Sequence, residues 1–125
     1  MTWETSAAPL WAGHCHCNSC RRATAAPFTS FLGVPTESVA WSGQMDAQHS
    51  SDGAVTRRFC TKCGTQMSYQ SRAWPDETHL YAATMDQPEQ FRPEAHFHYG
   101  ERLDWIELTD DLPKYPRSAD GSDPL

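Results

Sequence analysis

Five cysteines in two tight groups constrain this chain more than any other feature. Three stand within six residues, Cys15-His16-Cys17-Asn18-Ser19-Cys20, and two bracket a short turn, Cys60-Thr61-Lys62-Cys63, followed by Gly64. An odd number cannot be fully paired in disulfides. A bridge across the single residue between Cys15 and Cys17 is also strained. In a reducing compartment such groups bind metal more often than they form disulfides. Zinc takes four ligands in a tetrahedron and favours thiolates. Two cysteines separated by two residues grip one ion from a single turn, and a glycine after the second permits the open backbone that the turn needs. The competing reading of Cys60 and Cys63 is a pair of buried core thiols.

Two allocations of the sulfurs are open. In the first, Cys17, Cys20, Cys60 and Cys63 form one closed site of the zinc-ribbon type, which only stabilises the fold, and Cys15 is left over. In the second, Cys15, Cys17 and Cys20 hold one zinc whose fourth position stays exchangeable, and Cys60 with Cys63 belong to a separate site. Spacing favours the first, because paired CxxC knuckles usually share an ion. The second would make a reactive metal. Either way the expectation is one or two zinc ions per chain, although iron also accepts thiolate sites.

The rest of the composition narrows the class. The 125 residues suit one domain, and a chain this small gains from a metal staple. A net charge of -6 opposes binding to phosphate backbones, which disfavours a nucleic-acid-binding ribbon. Half of the ten Lys and Arg nevertheless sit beside the cysteines: Arg21, Arg22, Arg57, Arg58 and Lys62. They offset thiolate charge and could attract an anionic thiol. No apolar run approaches the roughly 20 residues of a membrane span, and MTWETSAAPLW lacks the pattern of a signal peptide. A cytoplasmic protein without membrane partners is expected.

Short strands separated by turns imply a mainly β domain. Strand remnant and loop are expected over 1–13, one helical turn in RRATAAP, and strands at 28–34, 39–41, 54–59, 65–70, 79–85, 95–100 and 103–108. The polar stretch 44–53 reads as a hairpin loop and 117–125 as a disordered tail. Alternation over 95–100 puts His96 and His98 on one face, where they could line a cleft; a solvated or core role is the alternative.

The segments CHCNSCRRATAAPF and RRFCTKCGTQMSY resemble those of the glutathione-dependent formaldehyde-activating enzyme (GFA) family, whose domain also occurs in centromere protein V. ATMDQPEQFRPEAHFHYGERLDWIEL followed by DDLPKY is similar to that family's closing segment, so the likeness spans roughly 3–116 and defines a GFA-type zinc domain over 1–116. The resemblance implies a β-tent fold of mostly antiparallel strands around zinc. It implies a catalytic zinc on Cys15, Cys17 and Cys20, reversing the order that spacing suggests, and a structural zinc on Cys60 and Cys63 plus an earlier CxC. No cysteine precedes Cys15, and Trp3-Glu4-Thr5 enters partway along the strand that should carry that CxC, as in a truncated first strand. The structural site here has two of its four thiolates.

The activity that the resemblance implies is that of S-(hydroxymethyl)glutathione synthase, a carbon–sulfur lyase class reaction joining glutathione and formaldehyde. Arg21 and Arg22 suit the glutathione carboxylates, since a guanidinium grips a carboxylate through two bonds; Arg57 and Arg58 are alternates, of which one faces a given side of its strand. His14 and His16 are nearest in sequence as proton donors, with His16 expected to point away from the metal. The rival reading is a non-catalytic zinc-ribbon-like structural or glutathione-binding module.

Overall fold

β-Branched and aromatic residues bounded by Gly, Pro and Asn set most strand positions. A computed structural model describes residues 1–43, 47–51, 53–118 and 124–125, the backbone alone for 47–51. Among the described residues nine strands form: β1 (Thr2–Thr5), β2 (Trp11–Cys15), β3 (Thr29–Pro35), β4 (Val39–Ser42), β5 (Ala47–Ser51), β6 (Val55–Phe59), β7 (Gln66–Ser71), β8 (Glu77–Tyr81) and β9 (Ala95–Phe97). One α-helix, α1 (Asn18–Thr24), and four 3-10 turns complete the elements among the described residues. The protein is therefore mainly β. No helix among the described residues is long and apolar enough to cross a membrane.

Two units emerge, Met1–Trp11 with Leu32–Pro88, and Ala12–Phe31 with Glu89–Leu125. In the first, β1 and β4 form an antiparallel pair in which Trp3 faces Trp41. The strand order β5-β6-β7-β8-β3 builds its larger sheet, antiparallel through β5, β6, β7 and β8. Leu32, Val34, Met67, Leu80 and Ala82 are buried there, with Val34 and Leu80 at 0% exposure. Arg57 is buried too: its Nη1 donates to the Tyr81 hydroxyl at 2.9 Å, and its guanidinium lies 4.9 Å from the centre of the Tyr69 ring. Such placement gives the charge both a hydrogen-bond acceptor and a π-face in place of water. His79 is buried between Trp11, Tyr69 and Trp74, and burial holds it down to a pKa of about 4.

The second unit follows the order β3-β2-β9, and β2 runs parallel to β9 with Gly13, His14 and Cys15 opposite Ala95, His96 and Phe97. A Cβ on Gly13 would stand 2.5 Å from Phe97 Cε2 and 2.8 Å from the Ala95 carbonyl oxygen, so this close approach requires glycine.

Three sequence expectations are corrected. The polar stretch 44–53 is not all loop: Ala47–Ser51 is the edge strand β5, paired with β6, while 44–46 and 52 lie outside the described residues. A ladder of backbone hydrogen bonds needs no apolar side chains, and an edge strand has only one neighbour to satisfy. Residues 103–108 form no strand; the segment turns back with Ile106 N–H directed to the Leu103 carbonyl, and Trp105 is 67% exposed. His96 and His98 do not share a strand face, because β9 ends at Phe97 and His98 adopts a left-handed φ of 52°. His98 instead pairs with Glu101 at 3.2 Å. His98 N–H donates to the Arg117 carbonyl at 3.0 Å, and most of the expected tail, 119–123, lies outside the described residues.

Candidate metal centre

Cys15 ends β2, Cys17 caps α1, and Cys20 lies in its first turn. The extended backbone of Cys17 (φ -65°, ψ 149°) frees its Sγ to accept the Cys20 N–H at 3.2 Å. A thiol thus takes the role that Ser or Asp commonly plays at a helix start. Strand, reversal and helical turn gather the three sulfurs, whose Sγ atoms all lie within 4.8 Å of one another. Among the described residues this is the one group of three or more Cys, His, Asp or Glu ligand atoms so close. It could hold a metal ion.

The electrostatics of the thiols fit that role. Cys17 and Cys20, then burial, push the Cys15 thiol pKa upward. At Cys17 the hydrogen bond with Cys15 acts downward, but Cys20 and burial outweigh it. Clustered thiols oppose one another's ionisation, and a cation among them reverses the balance.

Around the sulfurs lies a packed set of rings. His16 Nε2 meets His96 Nδ1 at 2.8 Å, and His96 Nε2 meets both Asp110 carboxylate oxygens, at 3.1 and 2.9 Å. His16 and His96 are 2% and 1% exposed, so neither is a solvated histidine. Tyr99 packs edge-on to both. His14 Nδ1 bonds the Ser30 hydroxyl at 2.8 Å. Burial first, and the His96 charge second, hold His14 and His16 each to a pKa of about 4. Asp110 responds oppositely: desolvation acts upward, yet the hydrogen bonds from His96 and Leu112 with the His96 and Lys114 charges bring it down to about 2.

The expected anion-binding arginines are partly engaged. Arg21 Nε donates to the His16 carbonyl at 3.2 Å, its Nη2 to Asn18 Oδ1 at 3.4 Å, and Arg22 Nε to the same oxygen at 3.0 Å. Cys60 and Cys63 flank a turn in the first unit, closed by the Gly64 N–H to the Cys60 carbonyl at 2.7 Å. Cys63 is exposed, and the Thr65 hydroxyl 3.0 Å from its Sγ helps hold its pKa down. Asp110 is the site residue that sequence reasoning missed; an acidic residue in a polar exit loop carries no local signal of a histidine partner.

This is a mainly β domain whose three-thiol cluster, on a strand-to-helix turn, could hold a metal ion, and similarity to known proteins gives it a family. The model of the glutathione-dependent formaldehyde-activating enzyme family matches residues 1–101, and the chain belongs to that family. No curated protein matches it. A crystal structure of a Rhodobacter sphaeroides protein is similar, with a TM-score of 0.55, 16% identity, and coverage of 90% of this chain and 86% of that one. At that identity the likeness shows the fold alone.

Proposed function

We propose that Cys15, Cys17 and Cys20 hold a zinc ion and that this chain condenses glutathione, or a similar small thiol, with formaldehyde. The observation that carries the reading is the gathering of three sulfurs within 4.8 Å on one short segment. Thiolates about 2.3 Å from a tetrahedral zinc stand about 3.8 Å apart, so the cluster needs little adjustment to fit. Three ligands from the protein leave a fourth for exchange. When bound, zinc supplies thiolate stabilisation and polarisation of an aldehyde oxygen.

The reaction forms one carbon–sulfur bond, and the proton of the thiol ends on the former aldehyde oxygen. Of the chain's own residues, Cys15, Cys17 and Cys20 supply the donor set. Arg21 and Arg22 stand beside it as partners for the carboxylates of glutathione, with Asn18 Oδ1 orienting both guanidinium groups. The membership of the family named for this chemistry supports the substrate pair. Cys60 and Cys63 form a second, stabilising half-site.

Thiols add to formaldehyde unaided, so the test is a timed comparison. Adduct formation from glutathione and formaldehyde should run faster with the protein than without it, and the Cys15→Ala variant should return it to background. An unchanged rate with the metal-loaded protein would remove the synthase reading and leave a glutathione-binding or structural module.

A further inference from the structure

Asp110 lies in the exit loop, far along the chain from the cysteines, yet it terminates a hydrogen-bonded chain that ends on His16, the residue between Cys15 and Cys17. Its carboxylate can only accept, so the Nε2 of His96 carries a hydrogen. The 2.8 Å contact between His96 Nδ1 and His16 Nε2 carries one shared hydrogen, which Nε2 of His16 donates when the His96 ring is neutral. The backbone runs with the side chains. His16 N–H donates to the Phe97 carbonyl at 3.0 Å, His96 N–H to the Pro113 carbonyl at 2.8 Å, and Tyr115 N–H to the His96 carbonyl at 2.8 Å. His16 sits between Cys15 and Cys17, so fixing its ring and its amide fixes the backbone from which both sulfurs project.

We propose that Asp110 is a positioning residue for the thiol cluster, acting through His96 to lock the ring of His16 and hence the spacing of Cys15 and Cys17. It touches neither the sulfurs nor a substrate. Rings pack around the two histidines: His14 is 4.9 Å and Tyr99 5.5 Å from the His96 ring centre, and Phe28 is 5.1 Å from that of His16, while Asp110 at the end of the chain is 38% exposed. Burial makes the His16–His96 hydrogen bond costly to lose, and the carboxylate of Asp110 fixes the His96 ring from the solvent side. Groups that orient ligands in this indirect way typically change metal affinity by 10–100-fold when removed. The inference rests on reading Cys15, Cys17 and Cys20 as ligands, and it concerns a residue that the synthase proposal does not use.

The test is competition for zinc between the full-length protein and a chromophoric chelator, with denaturant unfolding in parallel. Wild-type protein should bind zinc, Asp110→Ala should bind it about 10-fold or more weakly, and Asp110→Asn, whose amide oxygen can still accept from His96, should recover most of the affinity. Nitrogen-15 spectra of the zinc-loaded protein should show both His16 and His96 as the Nε2–H tautomer. In Asp110→Ala the His96 tautomer should become mixed, a change that simple loss of stability does not produce. Unchanged affinity in Asp110→Ala, or an Asn variant as weak as the Ala variant, would overturn the proposal while leaving the ligand assignment intact. Wild-type protein whose zinc binding is indifferent to Cys15→Ala would overturn both.

Discussion

The Sγ of Cys17 accepts the N–H of Cys20 at 3.2 Å, so one thiol of the cluster is also the cap of the helix that carries another. If Cys17 holds the proposed zinc, metal binding and local folding are joined at one atom. Substitutions at this position can separate them. Cys17→Ser keeps a good capping oxygen and loses a soft ligand; Cys17→Ala loses both. With a chelator present, Cys17→Ser should match the wild type in stability and Cys17→Ala should fall below it by about 0.5–1 kcal/mol. Without the chelator both should lose bound metal. Urea unfolding in the two conditions, with metal analysis, reads both effects.

Gly13 and Gly64 should fail for different reasons. Alanine at 13 meets Phe97 and the Ala95 carbonyl inside the β2–β9 pair. The strands must part, at a cost of about 1–3 kcal/mol or more. Replacing Phe97 with Leu in the same chain should recover only part of that loss, because the carbonyl contact remains. Thermal unfolding of the single and double variants checks this.

At Gly64 nothing lies within 4 Å of a built Cβ, but φ is +78°. Gly64→Ala should cost about 1–2 kcal/mol from the backbone alone. Gly64→Asn, which tolerates this region better, should cost less. Equilibrium unfolding of the two variants ranks them.

The buried His79 predicts an acid limb in stability. Its folded pKa of about 4 lies below its ordinary value of 6.5. The unfolded chain therefore takes up the proton first, and stability rises with pH where the unfolded state binds more protons. The contribution is complete above 6.5 and is lost progressively as pH falls toward 4, by on the order of 3 kcal/mol. Tryptophan-monitored denaturation at pH 7.5 and 5 should show a fall in midpoint that shrinks in His79→Phe, which keeps the ring packing against Trp11 and Trp74 and removes the titration.

How much of this could be read from the sequence follows from the range of each interaction. The proximity of Cys15, Cys17 and Cys20 was legible because they come from six consecutive residues, but spacing favours a closed site shared with Cys60 and Cys63, and the three-thiol allocation comes from the family resemblance. Strands β3, β6 and β7 were legible from their β-branched and alternating residues. Helix α1 starts at Asn18, before the RRATAAP segment where a turn was expected, since a cysteine rather than a familiar capping residue precedes it. Strand β5 is held by backbone pairing with β6, which polar composition does not reveal. The partnership of His16 with His96 joins residues 80 apart in the chain, and no local pattern encodes it. Arg57 is near the cysteines in sequence but is buried against Tyr81, and alternation on β6 does not reveal which face is the core.

Zinc content of the purified full-length protein, measured alongside Cys15→Ala, Cys17→Ala and Cys20→Ala, tests the central claim most directly. The account predicts that each substitution removes an equivalent of zinc that the wild-type chain retains, whatever Cys60 and Cys63 hold. Equal zinc in the wild type and all three variants would contradict it.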